Sequence, residues 1–159
     1  MKYFCIVLYI IVIFFLQVGI LPNLKIFNVF PNLFLLISIG LTILIGWKKA
    51  LLWTISLGLF LDFYSSYNIL GISTIGMLLS SFLTQFLNQK YFKKENKLSI
   101  ILIFTSAIIF YELILLFFFK ISDTGYDFYL SKLIIRIIYS LILALPMFYI
   151  EKWYVDKIK

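Results

Sequence analysis

The sequence predicts an all-α integral membrane protein, a single domain (1–159) of six transmembrane helices with both termini in the cytoplasm. Three observations lead there: the apolar fraction, the recurrence of apolar runs long enough to cross a bilayer, and the one-sided placement of the lysines. Of 159 residues, 64% are hydrophobic and only 13% are charged, against about 45–50% and 25% in a soluble globular domain. Too few polar side chains remain to cover a water-facing surface. A soluble enzyme, a secreted domain and a disordered regulator are thereby excluded.

The elements follow in order. Residues 3–21 form an apolar run broken only by Gln17 and Gly19, and Pro22-Asn23 stops it. Its length suits a full crossing, about 20 residues, and exceeds a signal-peptide core. The second span, 30–46, opens at Pro31, which suits a first helical turn, and ends at Gly46 before Trp47-Lys48-Lys49. The third, 50–64, is short: its apolar part ends at Leu61 and runs into Asp62 and the cluster Ser65-Ser66-Tyr67-Asn68. About a dozen residues rise only some 18 Å, so this segment either extends through Asp62 to Tyr64 or breaks near Asp62 inside the membrane. Spans at 72–87, 98–119 and 130–150 complete the six, separated by the hydrophilic run Asn88–Lys97 and the loop Ser122–Asp127.

Charge placement fixes the orientation. With six spans, one side holds ten lysines, among them Lys48, Lys49, Lys90, Lys93, Lys94, Lys97 and Lys152. The opposite side holds three, Lys25, Lys120 and Lys132, and Arg136 lies within the last span. Positive residues in short loops stay cytoplasmic. The net charge of +7 is therefore a solvated face beside anionic lipid, and the loop Lys90, Lys93, Lys94, Lys97 also suits docking of a cytoplasmic partner. Orientation alone would demand the same lysines. Nucleic-acid binding finds no folded domain behind them.

Ionisable groups inside a span are costly and point to pairing or function. Asp62 lies about 18 Å above the cytoplasmic edge, and Glu112 about 21 Å above it, at 1.5 Å per residue. Arg136 enters from the other side to a similar depth in a core of about 30 Å. Glu112 and Arg136 on consecutive antiparallel helices are expected to form an intramembrane ion pair, with Asp62 near. The pair acts either as a clamp that fixes register or as part of a proton or ion relay; Arg136 snorkelling beside Lys132 is the competing arrangement.

Small residues mark close helix approaches: Ser56 and Gly58, then Ser73, Gly76 and Ser80 on one stripe. Tight packing and a ligand groove both use such a stripe. Enzyme motifs are missing: no phosphate loop, nucleophile elbow or His-Glu-x-x-His occurs. With no histidine and one cysteine, Cys5, a His/Cys zinc site, a disulfide framework and a histidine-based triad are all out of reach. Asp123 and Asp127 in the outer loop have a spacing that suits a cation, though such pairs are usually solvated. No cofactor and no metal are expected.

One ordered set of residues is more specific. Leu21-Pro22 closes the first span, Pro31-Asn32-Leu33 opens the second and Gly46 ends it; Gly58-Leu59-Phe60-Leu61-Asp62 follows, then Ser65 and Leu70-Gly71. This pattern resembles the bacterial rod shape-determining protein MreD family, with Asn32 where Asp is common and Tyr67-Asn68 in a turn often richer in Gly and Pro. The specific residues lie within 21–76; the second half matches in hydropathy and in its lysine loop.

The resemblance implies a non-enzymatic inner-membrane scaffold of the cell-elongation, peptidoglycan-synthesising machinery. Its partners would be a single-span MreC-like protein, with MreB, RodA and a class B transpeptidase nearby. It also implies a fold similar to the substrate-binding subunits of energy-coupling-factor transporters. On that analogy Gly58, Asp62, Ser65, Gly71, Ser73 and Gly76 form a partner groove or a pocket. The alternative it leaves open is a small-molecule-binding subunit of a vitamin-type transporter; conduction through Asp62, Glu112 and Arg136 is a third.

Overall fold

A computed structural model describes residues 11–20, 23, 29, 31–64, 71–90, 96–122 and 126–158. These form six helical elements: α1 (11–20), α2 (Leu33–Ile45), α3 (Trp47–Tyr64), α4 (Ile72–Lys90), α5 (Lys97–Ser122) and α6 (Tyr126–Ile158). Helices α3, α4, α5 and α6 follow one another around α2. The central helix explains itself by composition: Leu-Phe-Leu-Leu-Ile-Ser-Ile-Gly-Leu-Thr is apolar on every side, and all ten of those residues are buried. A helix apolar all round has no solvent face to offer. With 13 residues it is about 20 Å long, the shortest of α2 to α6. Around it pack Leu57, Met77, Phe104, Ile108, Tyr111 and Phe148. From α1, Phe14 stacks on Phe34 of α2 and tilts against Phe60 of α3.

The third segment is neither short nor broken. It runs unbroken for 18 residues, Trp47–Tyr64, about 27 Å at 1.5 Å per residue. The reason is Gly46, whose φ of 82° lets one residue end α2 and start α3. Its carbonyl accepts from the N–H groups of Lys49 and Ala50, so both lysines stand exposed in the first helical turn rather than in a loop. Asp62 falls in the last turn, still helical.

The sixth helix also outruns its expected bounds of 130–150, covering 33 residues from Tyr126 to Ile158 with Pro146 inside. That proline removes the N–H that would reach the Ile142 carbonyl, and it sits on an exposed face. Lysine and tryptophan are compatible with helix, and Lys157 Nζ lies 3.7 Å above the Trp153 ring, so the helix continues past the apolar run. By length and composition α5 and α6 are able to cross a membrane. Leu52, Phe63, Phe82, Leu98, Phe117, Ile134 and Ile142 are all more than half exposed, apolar side chains turned outward as lipid contact requires.

Candidate functional site

The buried polar groups gather at two levels of the bundle. The upper level, about 20 Å above the lysine-bearing end by helical rise, begins with Asp62. Its Oδ1 accepts from the Ser73 N–H at 2.9 Å, and its Oδ2 from the Thr74 N–H at 3.1 Å and the Thr74 hydroxyl at 2.6 Å. Those N–H groups belong to the first turn of α4, which has no intrahelical acceptors for them. Asp62 thus caps a neighbouring helix at its positive end.

Gly58, one turn earlier on the same face, makes this possible. A Cβ there would meet Thr74 Cα at 2.7 Å, so α3 and α4 touch backbone to backbone. The Gly-x-x-x-Asp spacing thereby acquires a physical meaning: the glycine brings the helices together and the aspartate receives the donors. Gly71, with φ 96°, leads into α4, and its carbonyl accepts from the Ile75 N–H. Ser73 is buried, and its hydroxyl has no hydrogen-bond partner.

From α4 the level continues to α5. A Cβ on Gly76 would lie 3.0 Å from the Tyr111 ring, so the ring rests on the glycine. Tyr111 Oη accepts from Asn32 Nδ2 at 3.2 Å, while Asn32 Oδ1 caps α2 through the Leu35 N–H. Gln17 of α1 completes that end: its Oε1 accepts from Leu33 N–H at 2.9 Å, and its Nε2 donates to the Pro31 carbonyl. It can face inward because α1 widens there into a π-turn, Leu16–Ile20, a feature that re-aims side chains.

The structure brings Glu112 and Arg136 together. Arg136 Nη1 lies 3.6 Å from Glu112 Oε2, and the Tyr129 hydroxyl donates to the same oxygen. The guanidinium also lies 4.1 Å above the Tyr129 ring, whose other neighbour is Phe119. The hydrogen bonds of Asp62 go to α4. Contacts at the upper level therefore join α1 to α2, α2 to α5, α5 to α4 and α6, and α4 to α3.

The lower level holds a buried acid that the sequence reading left outside its spans. Glu151 of α6 is 1% exposed, and neither carboxyl oxygen has a hydrogen-bond partner. A Cβ on Gly40 of α2 would fall on its Oε2. The signal was present in the spacing: Ala144, Met147, Phe148, Glu151 and Val155 form one buried stripe, which ending the span at Ile150 cuts off. Also at this end, the Trp47 N–H donates to Gln85 Oε1, and Ser38 and Thr54 share a hydrogen bond between α2 and α3.

Of the remaining expected residues, Lys90 and Lys97 are exposed where α4 ends and α5 begins. Lys90 Nζ lies 5.2 Å over the Phe86 ring. Ser65, Lys93, Lys94 and Asp123 lie outside the described residues. Among the described residues no three His, Cys, Asp or Glu side chains gather as metal ligands would. A groove of about 330 Å³ runs between α5 and α6, lined by Ile101, Phe104, Thr105, Ile138, Leu141, Ile142, Ala144 and Leu145. The Thr105 hydroxyl there donates to the Ile101 carbonyl, which leaves the groove a hydrocarbon surface.

A protein-family model described as rod shape-determining protein MreD matches residues 1–153. No curated protein and no solved structure matches the chain.

Proposed function

The chain belongs to the MreD family of rod shape-determining membrane proteins, and on that premise we propose that it is a scaffold of the cell-elongation machinery. In this reading it crosses the bacterial inner membrane six times with both ends in the cytoplasm. It holds the transmembrane helix of a single-span MreC-like partner and performs no chemistry itself. MreB, RodA and a class B transpeptidase are the further partners that the family suggests.

One observation carries the scaffold reading. At the upper level the acids are consumed within the bundle, Asp62 by α4 and Glu112 by Tyr129 and Arg136. Gly58 and Gly76 are likewise covered by the chain's own Thr74 and Tyr111. Such a network rigidifies a frame and leaves apolar lateral faces for helix docking. Asp62 then serves partner binding indirectly, by fixing the start of α4. The apolar groove between α5 and α6 suits a helix or hydrocarbon better than a polar vitamin.

Co-purification with the single-span partner tests this. Ile142→Trp, at the α5–α6 groove, is expected to lower partner recovery about tenfold, a ~1.4 kcal/mol loss of binding, at unchanged protein level. Recovery of no such partner by the unaltered protein would sink the scaffold reading. Full recovery with Ile142→Trp would move the docking face elsewhere.

A further inference from the structure

Glu151 and Gly40 form a feature that the scaffold reading does not use. The carboxyl group occupies the place a side chain would take on α2, with 1% of the residue exposed and no donor on either oxygen. Protein atoms alone bury it, whatever lipid surrounds the bundle. Among the described residues no charge of opposite sign is packed against it. Helix α2 carries no ionisable residue from Leu33 to Ile45. Helix α5, which meets α6 here through Phe104 and Phe148, has Lys97 at this end, and that side chain is exposed. On α6 itself Lys152, Asp156 and Lys157 lie off the buried stripe, the first half-buried and the others exposed.

A bare carboxylate in such a place is costly and needs a cation or several donors. A neutral acid costs far less, only what an unmade hydrogen bond costs. We propose that Glu151 is a proton-binding site: its side chain occupies the Gly40 notch as the neutral acid, and the packing of α6 on α2 is made by that form. Loss of the proton places a charge against α2 with nothing to receive it. The carboxylate then leaves the notch for the water at the lower end of α6. Proton occupancy thereby sets whether the last turns of α6 lie against the central helix.

The test compares thermal unfolding of the full chain and of Glu151→Gln, a neutral isostere, in detergent micelles from pH 5.5 to 8.5. The sign follows from linkage. The unfolded chain releases this proton above about pH 4.3, so the folded state binds more protons and stability falls as pH rises. The midpoint of the native chain is expected to fall about 4 °C per pH unit relative to Glu151→Gln. This continues until the folded site itself empties. Parallel pH curves for the two proteins overturn the proposal, as does a native midpoint that rises relative to the variant.

A second measurement needs no variant. A hydrophobic carbodiimide takes the proton of a protonated carboxyl, whose oxygen then adds to its central carbon; acyl transfer leaves a stable N-acylurea that peptide mass spectrometry locates. Adduct at Glu151 at pH 6 that disappears toward high pH supports the site. Adduct at Asp62 or Glu112 with none at Glu151 overturns it.

Discussion

Asp62 and Glu151 are both carboxylates in a bundle with few charges, and the molecule buries them in opposite ways. Asp62, 4% exposed, has three donors and sits where a helix begins, the one place in an apolar interior where backbone offers unspent N–H groups. Glu151, 1% exposed, faces a glycine in mid-helix, where every backbone donor is already used. Glu112 lies between the two cases, with a phenol and a guanidinium for partners. The position of the acid along its neighbour's helix, more than its depth, thus decides how many donors its oxygens find. A carboxylate at a helix start is a cap; the same group against a helix middle has to be neutral or displaced.

The largest effect expected from breaking this contrast comes at Glu112. Arg136→Ala leaves that carboxylate buried with one phenol, and a loss of about 3–5 kcal/mol is expected, read as lower detergent stability. The exchange Glu112→Arg with Arg136→Glu should recover part of it; no recovery over either single variant means the pair is not the source of the loss. Asp62→Ala strands three donors at the start of α4, for about 2–3 kcal/mol, with hydrogen exchange rising first at Ser73 and Thr74. Unchanged exchange there would deny Asp62 its capping role.

Gly58→Ala forces a methyl onto Thr74 Cα and should cost about 1–3 kcal/mol, and it should loosen the same two amides by parting the helices. The smallest change sharpens the contrast most. Asn32→Asp keeps the α2 cap and lets the Tyr111 hydroxyl donate instead. A shift within about 0.5 kcal/mol is expected, measured by the same unfolding assay. A large loss would show that the Asn32 amide, rather than its capping oxygen, holds α5 to α2.

How much of this was legible in the sequence varied with the residue. Glu112 and Arg136 stand out because an apolar composition isolates each charge, and counting residues from the lysine loops places them at similar depth. The Gly58–Asp62 spacing was readable as a pattern but not as a mechanism. Its donors come from residues 73 and 74, and only folding shows that Thr74 lies against Gly58. Gln17 read as an interruption of an apolar run, since nothing local signals a π-turn or the α2 backbone it serves. Glu151 was hidden by its neighbours: Lys152 and Asp156 mark the segment as solvated, although every third or fourth residue from Ala144 to Val155 turns inward. Helix ends were misplaced for the same reason. Lys48, Lys49 and Lys157 are good helix formers, so polarity changes before the helix stops.

Gly46 has one more consequence, for how the chain enters a bilayer. A connector of a single residue has no slack, so α2 and α3 are two arms of one hairpin and neither can cross without the other. The tip of that hairpin carries Lys48 and Lys49, both exposed. Paired positive charges favour the cytoplasmic side, so on the proposed topology the arms insert with their open ends leading. Those leading ends carry Asn32 and Asp62, the two residues that then clasp α5 and α4. On that topology one torsion angle ties the two arms together before the clasps at Asn32 and Asp62 can close.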